Sequence, residues 1–202
     1  MRLTLRRAVL ISLVIGAVTA TPLFAATLAQ MNLGDLCERA ERIYRGTVVQ
    51  TETGLVKAGG GEIPTITYTI RVDQAFKGEF DTVKGEQVVT LTTLGKIPPR
   101  EVAGMKRFPV LPEVPTLSMG ESYLLFTTPP SGGNLASPVG LGQGKFDIKA
   151  KDGMEMAVNQ YQNIGLFRDM DVTDIASQGA IPYQRLADVV RTTLTVQEGG
   201  IR

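Results

Sequence analysis

The densest group of reactive side chains in this sequence is the carboxylate set Asp169, Asp171 and Asp174. Acids so spaced could attract a divalent cation, but the stretch lacks the central Gly and closing Glu of a calcium-binding hand. With Gly165 and Gly179 on either side, it reads as a solvated polar loop. The chain contains no histidine, so it has no Ser-His-Asp or Cys-His pair, no imidazole ligand for zinc and no side chain that ordinarily titrates near neutrality. Hydrolysis by carboxylates alone needs two acids converging in a cleft, and the remaining acids are scattered. The single cysteine, Cys37, lies on an apolar helical stripe and reads as a small buried hydrophobe, not as a reactive thiol. The expectation is a protein that is not an enzyme and uses no cofactor or metal.

Two glycine clusters invite a nucleotide-binding reading and fail it. Gly59, Gly60 and Gly61 are not followed by the Lys-Ser or Lys-Thr of a phosphate-binding loop and do not open a helix. Gly140, Gly142 and Gly144 fall inside a β pattern, where they suggest bends of a strand coiling around a small barrel.

Residues 95–117 form a long excursion stiffened by Pro98, Pro99, Pro109, Pro112 and Pro115. Within it Arg100, Lys106, Arg107 and Phe108 make a basic and aromatic tip. Long loops in compact domains tend to be functional, so this one is a candidate partner contact. A cover over one end of the sheet is the equal alternative.

The N-terminus reads as a secretory signal peptide over residues 1–25. Arg2, Arg6 and Arg7 precede the apolar run from Ala8 to Ala20, and Pro22 and the small residues Ala25 and Ala26 follow. The run is too short and too interrupted for a membrane span, which predicts cleavage after Ala25 or Ala26 and no stable membrane insertion afterwards. The expected location is the periplasm or the exterior. Cleavage takes three of the 21 basic residues and no acid, leaving 18 basic and 20 acidic residues and a net charge near −2. That balance argues against nucleic acid as a partner. Residues 26–202 suffice for a single domain.

The elements follow from periodicity. Asn32 and Asp35 have capping-box spacing, and Leu33, Leu36, Cys37 and Ala40 share a helical face. A first strand, Tyr44 to Thr51, is expected to end before a flexible loop at Gly59–Gly61. The second, Thr65 to Phe76, alternates Ile66, Tyr68, Ile70, Val72 and Phe76 with polar residues. Further strands are expected at Glu86 to Leu94, Glu121 to Thr128, Val139 to Ala150 and, after the Lys151-Asp152-Gly153 turn, Met154 to Val158. Residues 159–180 look irregular, and Pro182 opens a terminal helix over 182–194. The fold class is mainly β. Five or six bent antiparallel strands with a short N-terminal helix and a C-terminal helix fit a small OB-like barrel, with an immunoglobulin-like sandwich as the alternative.

Several of these segments, Leu36-Cys37-Glu38-Arg39-Ala40, Ile43-Tyr44-Arg45-Gly46-Thr47-Val48, Tyr68-Thr69-Ile70-Arg71-Val72, Phe76-Lys77-Gly78 and Gly120-Glu121-Ser122-Tyr123-Leu124-Leu125, occur in an order that resembles the netrin-like domain. That OB-type domain is shared by tissue inhibitors of metalloproteinases. The resemblance spans roughly residues 33–150 and implies protein binding, with an inhibitor or escort of an exported zinc protease as one form. In those inhibitors the amino group of an N-terminal cysteine, held by disulfides, chelates the protease zinc. Here the expected mature start is Ala26 or Thr27, and Cys37 is internal. Ala26, Thr27 and Leu28 are the candidate contact residues at that end. If they make the contact, residues 26–31 are expected to be mobile in the free protein. A structural or assembly component of the cell envelope is the alternative function.

Overall fold

The computed structural model describes residues 29–58, 60–97, 100–102, 105–107, 114–176 and 178–200. The expected signal peptide, with Ala26, Thr27 and Leu28, lies outside the described residues, as does Phe108.

Helix α1 (Leu33–Arg39) begins as its sequence requires. Asn32 accepts from the Asp35 amide at 2.9 Å, and the Asp35 carboxylate accepts from the Asn32 amide at 3.1 Å. These reciprocal bonds satisfy two otherwise orphaned donors. Leu33, Leu36, Cys37 and Ala40 are all buried. At the other end Lys77 Nζ donates to the Cys37 carbonyl at 2.9 Å, placing a cation where the helix dipole is negative.

Eight strands form one antiparallel sheet: β1 (Arg42–Ala58), β2 (Gly61–Lys77), β3 (Asp81–Val83), β4 (Glu86–Leu94), β7 (Ser122–Thr127), β8 (Lys145–Lys151), β9 (Met154–Asn159) and β10 (Ile181–Pro182). Two short strands, β5 (Arg100–Val102) and β6 (Met105–Arg107), make a separate hairpin. The order in the sheet is β10-β9-β8-β7-β1-β2-β4-β3. Helix α2 (Tyr183–Gly199) closes the fold.

This order does not return on itself, so the ladders form an open mainly β sheet and not the expected closed barrel. Burial supplies the reason. In β7, Leu124 and Phe126 belong to a core shared with α1 and α2, whereas Tyr123 and Leu125 belong to a second core with Tyr68, Ile70, Val89 and Leu91. Side chains alternate faces along a strand, so the centre of the sheet is covered on both sides. One backbone bond links the segment after β7 to β4, from Ala136 N–H to the Thr92 carbonyl at 2.8 Å. It is a tie and not a ladder.

Three local expectations change. The first strand does not stop before a loop; it runs to Ala58, which faces Gly61 across the ladder, and β1 and β2 form a hairpin of 17 residues per strand. Phe76 keeps the parity of Ile66, Tyr68, Ile70 and Val72, yet packs against the helix-side core while those four pack against the other. Register shifts in the β1–β2 ladder explain this: Gly46 faces Val72 but Arg45 faces Gln74, which inserts Asp73 and turns the following side chains over. Finally, Gly140, Gly142 and Gly144 do not bend a strand. Gly140 and Gly144 cap, and Gly142 lies within, a 3-10 turn, Leu141–Gln143, that precedes β8.

Gly46 and Gly78 have local explanations. A Cβ on Gly46 would meet the Arg71 carbonyl oxygen at 2.6 Å, where β1 and β2 cross closely. Gly78 has φ +94 and sits 2.9 Å, by the same measure, from the Glu41 carbonyl, so it needs both the left-handed backbone and the missing side chain.

The terminal helix is longer than its apolar stripe predicts. Tyr183, Leu186, Ala187, Val190 and Leu194 are buried on one face, and the last turn continues to Gly199 with Gln197 Nε2 bonded to the Gly34 carbonyl at 3.0 Å. Residues 160–180 carry no strand or helix among those described. They are held instead by buried amides. Asn163 Nδ2 donates to the carbonyls of Ala157 (3.1 Å) and Gly179 (2.8 Å), and Asn159 Nδ2 donates to the Gln143 carbonyl at 3.2 Å.

Candidate functional site

The chain enters the described fold through a clamp. Gln143, buried in the 3-10 turn, accepts from the Met31 amide at 2.7 Å and donates to the Ala29 carbonyl at 3.0 Å. From the opposite side, Arg168 donates to the Gln30 carbonyl at 3.0 Å and the Gln30 side chain donates to the Ile164 carbonyl at 2.5 Å. Asn32 Nδ2 reaches the Arg168 carbonyl at 2.9 Å, and the Leu33 amide reaches Leu166 at 2.7 Å.

Residues 26–31 were expected to be mobile in the free protein if Ala26, Thr27 and Leu28 make the contact, and residues 29–31 are instead bonded on both sides. The buried amide of Gln143 can satisfy a donor and an acceptor of one extended segment at once, which is how it fixes both position and register. Sequence reasoning missed Gln143, Gln30 and Arg168. The only signal was the run of glycines around Gln143, which permits a tight turn but does not say what the turn holds.

The second predicted contact is the β5–β6 hairpin. Its ladder sets Arg100 opposite Arg107 and Glu101 opposite Lys106, so the basic residues lie at adjacent register positions. The structure places them apart from the eight-stranded sheet in the ladder.

A third polar group lies on the helix side of the sheet. Arg45 grips Glu155 with two bonds of 2.7 and 2.6 Å, and its guanidinium stands 4.7 Å from the centroid of the Tyr183 ring. The Tyr183 hydroxyl donates to Gln74 Oε1 at 2.5 Å. Two residues along β1 from Arg45, Thr47 donates to Asp73 at 2.8 Å and shares a hydrogen bond of 2.9 Å with Ser122. The hydrogen bond to Glu155 holds Arg45 still more firmly protonated, and burial pushes the Tyr183 hydroxyl up to about 12. The Arg45 Nη atoms, Glu155, the Tyr183 hydroxyl and Gln74 are paired among themselves, while Arg45 Nε is buried without a partner among the described residues. They contain no free base for proton transfer, and their evident work is to fasten α2 to β1, β2 and β9.

The acidic stretch is divided among different partners. Asp169 pairs with Arg168 and Asp174 with Arg185, which fits the polar-loop reading. Among the described residues, no group of three or more acids or thiols is gathered as a metal-ligand set. No helix among them is long and apolar enough to cross a membrane. Cys37 is buried, and desolvation raises its thiol to about 12.

No protein-family model matches the chain, nor does any curated protein or solved structure.

Proposed function

We propose that this chain is an exported, non-enzymatic protein-binding domain of OB-related, netrin-like type, whose partner is another exported protein. An extracytoplasmic zinc protease is the partner the motif resemblance suggests, with this chain as its inhibitor or escort. The observation that carries this reading is the clamp of Gln143 and Arg168 on residues 29–31, which replaces the mobility expected of a contact segment with a pre-set approach to it. A segment fixed before binding loses less conformational entropy when a partner takes hold of it. Ala26, Thr27 and Leu28 are the proposed contact at this end of the chain, with Arg100, Lys106, Arg107 and Phe108 as a second contact.

The test is a titration of the purified chain, starting at its native N-terminus, against an active matrixin-type zinc protease. A version extended by one residue serves as the comparison. Stoichiometric inhibition that the extension abolishes supports amino-terminal capture of the protease. Absence of inhibition by either version removes the protease and transfers the assignment to a component of the cell envelope. That second reading predicts stable co-purification with envelope proteins.

A further inference from the structure

The β1–β2 hairpin reaches well beyond the strands that flank it. β7 pairs with β1 only from Arg42 to Thr47, and Val48 then bonds to Gly120 and Glu121. From Gln50 to Ala58, β1 has a ladder partner on the β2 side alone among the described residues. Residues 50–55 and Lys57 are exposed along this edge, with Leu55 at 63%.

The direction of its backbone groups follows from one proline. Pro64 faces Leu55 and has no N–H, while its carbonyl accepts from Gly95 on the β4 side at 2.7 Å. The Leu55–Pro64 pair is therefore of the non-hydrogen-bonded kind, and alternate residues of β1 share its orientation. Thr51, Thr53, Leu55 and Lys57 thus direct their N–H and C=O groups away from β2, toward the open edge. No proline interrupts this edge, and the irregularity in register lies at its base, between Val48 and Gln50. An open row of backbone donors and acceptors without these blocking devices is a template for strand addition.

We propose that this edge joins two copies of the chain, with β1 pairing antiparallel to the partner's β1 about Gly54. Two edges related by a two-fold axis normal to the sheet keep matching side-chain faces only in registers that set one residue opposite itself. In the register centred on Gly54, Thr53 exchanges bonds with the partner's Leu55, and Thr51 with the partner's Lys57. All four outward-facing residues of each copy are then used. Moving the centre by one residue in either direction leaves one of those residues without a partner in the set.

The side chains agree with the same register. Gly54 faces the partner's Gly54 as a close pair, where Cα atoms approach to about 4.5 Å and side chains crowd most. Glu52 faces the partner's Val56, and Lys57 faces the partner's Thr51, so no like charges oppose. Leu55 lies diagonal to the partner's Leu55, at about 7–8 Å, within reach for apolar contact. This self-complementarity favours a second copy over an unrelated peptide.

Sedimentation of the purified chain from Ala26 onward, across a range of concentrations, should show a dimer. Thr53→Pro removes an outward N–H and should weaken dimerisation at least tenfold, while leaving the thermal transition of the monomer cooperative. Gly54→Cys should give a disulfide-linked dimer on mild oxidation, because a close antiparallel pair falls within disulfide range and Cys37 is buried. A chain that stays monomeric at all concentrations overturns the proposal and leaves the edge to a strand of another protein. A dimer that survives Thr53→Pro, or fails to cross-link through Gly54→Cys, also overturns it.

Discussion

Tyr68 on β2 and Tyr123 on β7 hold consecutive amides of one crossing segment. The Tyr68 hydroxyl accepts from Leu117 N–H at 3.3 Å, and the Tyr123 hydroxyl accepts from Ser118 N–H at 2.9 Å. β1 lies between these two strands, so residues 117 and 118 fasten the second core across its width. Tyr123→Phe should cost about 1–2 kcal/mol by leaving an amide without its partner, and Tyr68→Phe less, because its bond is longer. Urea denaturation of the single and double variants checks this, and the double should cost less than the sum because both bonds restrain one segment.

Gln143→Ala removes two bonds from the entering chain, to Met31 and to Ala29. Hydrogen exchange at the Met31 amide should quicken markedly, while exchange in β1 and β2 stays slow. If the clamp pre-sets the contact segment, the same variant weakens protease binding without lowering the global transition by more than about 1–2 kcal/mol. Unchanged exchange at Met31 would show that Gln143 is not what fixes this segment.

Asn163 combines full burial with a left-handed backbone, φ 56. Its Oδ1 accepts from the Asn159 amide at 2.9 Å, and its Nδ2 serves two carbonyls. Asn163→Ala leaves these groups unpaired and forces a Cβ residue without local hydrogen bonds into that conformation, at a combined cost of about 3 kcal/mol. Asn163→Gly loses the same bonds but tolerates the backbone, so it should be the less destabilised of the two in thermal melts.

Alkaline pH should weaken the fold. Burial raises both the Cys37 thiol and the Tyr183 hydroxyl to about 12, so each stays protonated in the native state after the unfolded chain has released its proton. The unfolded state then binds fewer protons, and stability falls as pH rises. The loss begins near the ordinary thiol and phenol range, about 9–10, and continues toward 12. Urea midpoints measured from pH 7 to 11 should decline above 9, and Cys37→Ala should shallow the first part of that decline. A Cys37 thiol that reacts with a disulfide reagent in the native state at pH 8 would contradict its burial.

The sequence by itself determined much of the local structure, because that structure rests on short-range physics. Asn32 and Asp35 define the start of α1, alternation from Ile66 to Val72 defines the middle of β2, and Asp152-Gly153 turns β8 into β9. The stripe from Tyr183 to Leu194 marks the buried face of α2. Only tertiary structure decided the rest. Nothing in the spacing of Phe76 shows that an inserted residue turns it toward the helices, since a bulge is a property of two strands in register. Nothing in β7 says that its two faces serve different cores. The glycines near Gln143 permit either a bent strand or a tight turn, and the choice depends on what that turn holds, the chain at Ala29 and Met31. Likewise, the edge from Gln50 to Ala58 has no second ladder partner among the described residues because β7 stops pairing at Thr47. A strand's own sequence fixes its faces, but its neighbours fix which of its edges remain unpaired.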